Sequence, residues 1–173
     1  SWQASSYEEF LDKLNTHAPK FFENEVLIHT SSSLQASSVE APRVLLFGDG
    51  LVLSLNEPKD TEERRIELIE FNRQTKRFAP KEIIFNDSVS YNDNPTSCRA
   101  CHGDNENFKP IWNPYDFWPR AFGSRIGRIG TNTELKSYLS YFQDNTQGVR
   151  RYLQKDTTEQ GATIYHQSIE AFT

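Results

Sequence analysis

Hydrophobic and polar residues follow two different periods along this 173-residue chain, and each change of period marks an element. Phe10, Leu11, Leu14, Ala18 and Phe21 recur at the spacing of one helical face. Ser6 and Glu9 before them have the form of a capping box, and Pro19 should end or kink the helix near residue 18. Residues 30–42 are small and polar and read as a surface loop. From Arg43 to Asn56 the period becomes two. Val-Leu-Leu-Phe and Leu-Val-Leu-Ser-Leu flank Gly-Asp-Gly, which predicts a β-hairpin. Leu51, Leu53 and Leu55 alternate with Val52 and Ser54, as in a half-buried strand. A charged connection over 57–65 leads to a second hairpin, 66–71 and 78–85 around 72–76, with Pro80 placing its last strand at an edge or bulge. The middle of the chain therefore reads as an antiparallel meander of about four strands.

Asn, Asp, Pro and Gly dominate 86–130, interrupted by aromatic residues. Thr131 and Glu134 form another capping box, and Leu135, Tyr138, Leu139 and Phe142 follow at helical spacing, with Gly148 expected to end the helix. Asp156 and Glu159 start a last predicted helix carrying Tyr165, Ile169 and Phe172. The expected fold class is α+β: an N-terminal helix, the meander, then a loop bearing the chemistry described below and short C-terminal helices. Residues 1–173 are expected to form a single domain, with a soft seam near 88 between 1–88 and 89–173.

Composition narrows the class. An aromatic share of 13% argues for a folded interior that could pack a cofactor. A net charge of −5 argues against nucleic acid as the main partner. No apolar run reaches the roughly 18 residues a membrane span needs. The chain begins Ser-Trp-Gln, without methionine, as expected of a mature form whose export leader has been removed.

All the sulfur lies in one place. The chain has two cysteines and no methionine, and the cysteines stand in Pro95-Thr-Ser-Cys98-Arg-Ala-Cys101-His102-Gly103. Chance places two cysteines three apart with histidine directly behind on the order of once in several thousand chains of this length. Cys-x-x-Cys-His is the attachment pattern of a c-type haem. Each thiol adds to one of two vinyl groups on adjacent porphyrin edges, a two-residue gap on a helical turn spans them, and the next residue points its imidazole at the iron. Two rivals explain less. A thioredoxin-like redox pair leaves His102 without a role and belongs in an alternating α/β pattern. A zinc site would need a fourth ligand and would strain around adjacent Cys and His.

At these residues the sequence resembles c-type cytochromes, over Cys98, Cys101, His102 and Gly103 and little beyond. The stretch CHGDNENFKPIWNPYDFWPRAFGS is also similar to uncharacterised exported bacterial proteins that carry such a motif before a Pro-Trp-aromatic run. The resemblance implies one covalent haem c, His102 as proximal iron ligand, and maturation outside the cytoplasm, hence a periplasmic or otherwise exported protein. Two features depart from small cytochromes c. About half the chain precedes the motif, and no methionine exists to serve as the sixth ligand.

Several residues then become candidates. A ligating histidine needs its other ring nitrogen tied to a carbonyl or carboxylate, and Pro110 resembles the proline that supplies the carbonyl in cytochromes c. Trp112, Tyr115, Phe117, Trp118 and Phe122 could wall the porphyrin. Arg120, Arg125 and Arg128 could pair with propionates. On the iron's other face His166 ranks before His29 and His17, with a lysine, a tyrosine or an open site the alternatives. The expected function is electron transfer with a redox partner protein. The rival is an exported haem-based sensor that binds a small gaseous ligand. A catalytic role is less favoured, because no distal acid–base motif is visible.

Overall fold

The computed structural model describes residues 3–31, 35, 37–56, 64–104, 106–110, 120–122, 132–143 and 146–153. Helix α1 spans Tyr7–His17. Ser6 caps it in extended backbone, its hydroxyl accepting the Glu9 N–H at 3.1 Å. The Glu9 carboxylate turns to the Ser5 N–H, at 2.7 Å, so the second half of the capping box closes one residue early. The helix stops at Ala18, whose N–H still reaches the Leu14 carbonyl, and Pro19 opens a short 3-10 turn, Pro19–Glu23.

Six strands follow: β1 Glu25–Ile28, β2 Arg43–Gly48, β3 Leu51–Leu55, β4 Arg64–Asn72, β5 Arg77–Phe85 and β6 Val89–Asn92. They form one antiparallel sheet in the order β1-β2-β3-β4-β5-β6. Both predicted hairpins are present. Asp49 and Gly50 turn the first, with Gly50 at φ 74°, a backbone conformation glycine adopts without Cβ strain. In the second, the Asn72 carboxamide oxygen accepts the Gln74 and Thr75 N–H groups. Pro80 pairs with Ile69 on one side, while β6 begins its pairing only at Glu82, so the missing N–H falls where β5 has no second neighbour.

The expectation of about four strands followed by a loop-borne motif and short C-terminal helices is corrected here. The described residues form mainly a six-stranded sheet with three α-helices, which is not the helix-rich arrangement of a small cytochrome c. The meander gains a strand at each end. Glu25–Ile28 is too short to show a period, and Val89–Asn92 is exposed throughout. Neither carries a burial pattern that sequence could display; each is fixed by its ladder with a neighbouring strand. The motif lies in helix α2, Thr96–His102, rather than in a loop. Helix α3, Asn132–Tyr141, ends well before Gly148, with the Phe142 and Gln143 N–H groups closing three-residue turns on Leu139 and Ser140. The last predicted helix lies outside the described residues. Residue 88 falls in the turn between β5 and β6.

The two faces of the sheet differ. Val44, Leu46, Leu53, Leu55, Ile66 and Phe85 point to one side and pack on Tyr7, Phe10, Leu11 and Leu14 of α1 and on Tyr138 and Tyr141 of α3. This is the main core. On the other face, register aligns Val26, Leu45, Ser54, Glu67, Glu82 and Asn92 in one row across all the strands. The row is apolar at the β1 edge, where Val26, Ile28, Leu45, Phe47, Val52 and Ala121 form a second cluster. It is polar and charged toward β6, the strand that leads directly into α2. No helix of the described residues is long and apolar enough to cross a membrane.

Candidate cofactor-attachment site

Helix α2 begins at buried Pro95, whose fixed backbone stands at the N-cap position, and the Pro95 carbonyl accepts the Cys98 N–H at 3.2 Å. Helical spacing then sets the chemistry. Cys98 and Cys101 are one turn apart, and His102 is four residues from Cys98, so all three share a face. Cys98 is half-buried and Cys101 exposed, and the two thiols are not joined as a disulfide. Among the described residues no three His, Cys, Asp or Glu side chains converge as a direct metal-binding group. The motif presents its groups side by side along a helix rather than around a point.

The chain reverses immediately after His102. Gly103 caps α2 at φ 88°, and its N–H bonds the Arg99 carbonyl at 3.0 Å. The returning segment closes on the histidine twice. The Lys109 N–H donates to the His102 carbonyl at 2.9 Å, and the His102 Nδ1 lies 2.8 Å from the Lys109 carbonyl. A carbonyl only accepts, so this bond places the proton on Nδ1 and leaves the Nε2 lone pair available. Phe108, buried, stacks on the imidazole with ring centroids 5.0 Å apart and planes 21° from parallel. The imidazole is thus held in tautomer and in plane, as a metal ligand requires. A Cβ at Gly103 would stand 3.1 Å from the Asn107 carbonyl oxygen and on strained backbone. Gly103→Ala is therefore expected to cost about 1 kcal/mol or more, read from thermal melts, and to loosen the His102 ring, read from its NMR line shape.

Beneath α2 the charged half of the sheet forms a connected network. Arg43 of β2 donates from Nη2 to Glu67 of β4 at 3.5 Å and from Nε to the Gln35 carboxamide oxygen at 3.0 Å, and it also meets Ser54. Arg65 pairs with Glu82 of β5 at 3.2 Å, and the Asn92 carboxamide donates to the same Glu82 at 3.0 Å. The Asn92 carboxamide oxygen accepts the Asn94 N–H at 3.1 Å, and the Asn94 carboxamide oxygen in turn accepts from Arg99 Nε at 3.4 Å. The arginine inside the motif is thereby tied to the sheet. Burial, followed by the Glu67 carboxylate, pushes the Cys98 thiol above its usual range. Burial likewise pushes the Glu67 carboxyl up, opposed by the Arg43 and Arg65 guanidinium groups.

The structure gathers some of the expected residues and separates others. Cys98, Cys101 and His102 share one helix. The carbonyl on His102 is that of Lys109, one residue before Pro110, which stands half-buried beside it. Phe122 lies in the main core rather than beside the motif, packed edge-on against Tyr138 and His29. His29 follows β1 on that helix-covered face, where burial, the largest cause, holds its imidazole below the usual pKa. His17 ends α1, exposed, on the same side. Arg120 stands at the β1 edge, its carbonyl accepting the His29 N–H at 2.9 Å, at the opposite edge of the sheet from β6. Trp112, Tyr115, Phe117, Trp118, Arg125, Arg128 and His166 lie outside the described residues. Sequence reasoning missed the Lys109 carbonyl, because a backbone atom leaves no trace in residue type. It missed Arg43, Glu67 and Glu82, which only strand register brings together, and Arg65, which it placed in the charged connection over 57–65. Phe108 was the one visible signal, an apolar residue alone in a polar stretch.

No protein-family model matches the chain, nor does any curated protein or solved structure.

Proposed function

We propose that the chain is an exported monohaem c-type protein, with haem held by thioethers to Cys98 and Cys101 and His102 as proximal ligand, acting in electron transfer with a partner protein. The observation that carries this reading is the His102 imidazole. Its Nδ1 is committed to the Lys109 carbonyl and its ring is fixed by Phe108, so Nε2 is the atom left to bind iron, directly behind two free thiols on the same helical face. A dithiol redox pair does not need that arrangement, and a zinc site would need converging ligands. Bound haem would supply a one-electron couple at iron. The chain's own residues would anchor it twice, orient its proximal ligand and stabilise that ligand's basicity through the carbonyl hydrogen bond.

One observation favours a second reading, a haem-based sensor with an open site for a gaseous ligand. Both described histidines other than His102 lie on the far face of the sheet, away from the charged row beneath α2.

The test is an optical spectrum of protein from a host that matures c-type cytochromes, oxidised and reduced, with alkaline pyridine added to the reduced sample. The expected result is the haemochrome of a haem with both vinyl groups saturated. Colourless protein from that host would defeat the proposal.

A further inference from the structure

We propose that Phe108 is a positioning residue for His102: with the Lys109 carbonyl it forms a clamp, complete in the unmodified chain, that fixes the plane of the imidazole before anything is bound at Nε2. That the fixed ring then serves iron rests on the haem reading above; the clamp itself does not.

A histidine ring turns about its Cβ–Cγ bond with little intrinsic preference, because that torsion is broad and roughly two-fold. The bond from Nδ1 to the Lys109 carbonyl, 2.8 Å, selects which of the two flips is occupied. One hydrogen bond at the ring's edge still lets the plane rock about that contact. The Phe108 ring, 5.0 Å away between centroids and 21° from parallel, covers a face of the imidazole and closes that motion. Phe108 is only 6% exposed, yet it belongs to neither apolar cluster of the sheet. A buried aromatic residue outside both clusters, stacked on the motif's histidine, is placed for that histidine rather than for the sheet core.

The clamp is built from neighbours in sequence. The Gly103 N–H returns to the Arg99 carbonyl at 3.0 Å, the Asn107 N–H bonds the Asp104 carbonyl at 2.8 Å, and the Lys109 N–H reaches the His102 carbonyl at 2.9 Å. These backbone bonds bring residues 108 and 109 back onto residue 102, so two adjacent residues deliver both the stacking ring and the accepting carbonyl. None of these contacts involves Cys98 or Cys101. The helix that carries the thiols has no buried residue of its own, so the order of its last side chain comes from the returning segment and not from the helix's packing. Every part of the clamp is present without cofactor or thioether, and a ligand whose geometry is already fixed loses less freedom on binding.

The test reads the ring itself. In unmatured Cys98→Ala, Cys101→Ala protein with carbon-13 in its histidine rings, the order parameter of the His102 ring is measured by NMR relaxation. The expected value is near that of rigid backbone, about 0.85, and it should fall below about 0.6 in Phe108→Leu. Phe108→Tyr, which keeps the stacked face, should stay with the parent. So should Lys109→Ala, which loses an exposed side chain but keeps its carbonyl, and Phe78→Leu, which removes a ring that packs on Phe71 in the second hairpin. In matured, oxidised protein, Phe108→Leu is expected to redistribute the paramagnetic shifts of the haem methyl groups, which report the plane of the axial imidazole, and Phe108→Tyr to keep the parent's pattern. A mobile His102 ring in the parent, or a ring that stays ordered in folded Phe108→Leu, would overturn the proposal. Ring order lost in Phe108→Leu with unmoved methyl shifts in pigmented protein would overturn the iron half alone. Absence of haem from matured wild type would remove the iron half together with the haem reading, while the ring's order still decides the clamp.

Discussion

The double variant Cys98→Ala, Cys101→Ala, produced in a host that matures c-type cytochromes, is expected to lose covalent haem entirely while keeping its fold. Denatured wild-type protein should show the mass of the chain plus one haem; the double variant should show the chain alone. Each single variant should retain at most one thioether and accumulate less holoprotein. The fold should survive because neither sulfur supports it. Cys101 is exposed, Cys98 is half-buried, no disulfide joins them, and α2 contributes no buried residue to the main core. Alanine also favours the helix. Stability of the unmatured double variant is thus expected within about 1 kcal/mol of its parent, as measured by urea denaturation. Equal loss of mass and of fold would point to a structural role for the thiols. An unmodified wild-type mass from the competent host would end the haem reading.

The second expected result concerns the iron's other face, and it separates carrier from sensor. The chain has no methionine, so the weak band that methionine ligation gives toward the red end of an oxidised spectrum should be absent. His29→Ala and His17→Ala should leave the spectrum and carbon monoxide binding unchanged. His29 packs on Phe122 in the helix-covered core, 4.9 Å between ring centroids, and His17 closes α1 on the same side. Neither is on the face that carries the charged row and α2. The remaining histidine, His166, makes the difference. If it caps the iron, reduced wild type should resist carbon monoxide and His166→Ala should bind it. If the site is open, reduced wild type should bind carbon monoxide readily at neutral pH and His166→Ala should change nothing. Resistance that His29→Ala abolished would contradict the separation of faces described here. A low-spin spectrum untouched by carbon monoxide would favour electron transfer; ready binding would favour ligand sensing.

What could be read without the structure was local. The helix at Tyr7–His17 has a capping serine and a helical stripe within one short segment, and the two hairpins have turn residues between alternating runs. The attachment motif is more local still. Its meaning depends on residue types three and four positions apart, and one helical turn brings them together whatever surrounds it. Wherever an element depended on a distant partner, the reading fell short. β1 and β6 are short and become strands only through ladders with β2 and β5.

The same division runs through the site. Residue identity and spacing alone determine that two thiols and an imidazole stand in the attachment pattern, and that no sulfur ligand other than these cysteines exists in the chain; that the three share a helical face is decided by helix α2. Only the tertiary structure decides which nitrogen of His102 is free, because the Lys109 carbonyl reaches Nδ1 through a loop that must first reverse at Gly103. It alone decides that Glu67 and Arg43 are covered charges beneath the motif, because burial of alternate strand positions depends on what packs over the sheet. The physical reason is range. Covalent spacing and helical periodicity act over a few residues of sequence, whereas strand register, desolvation and the field of a buried charge act across space between residues that the chain brings together only when it folds.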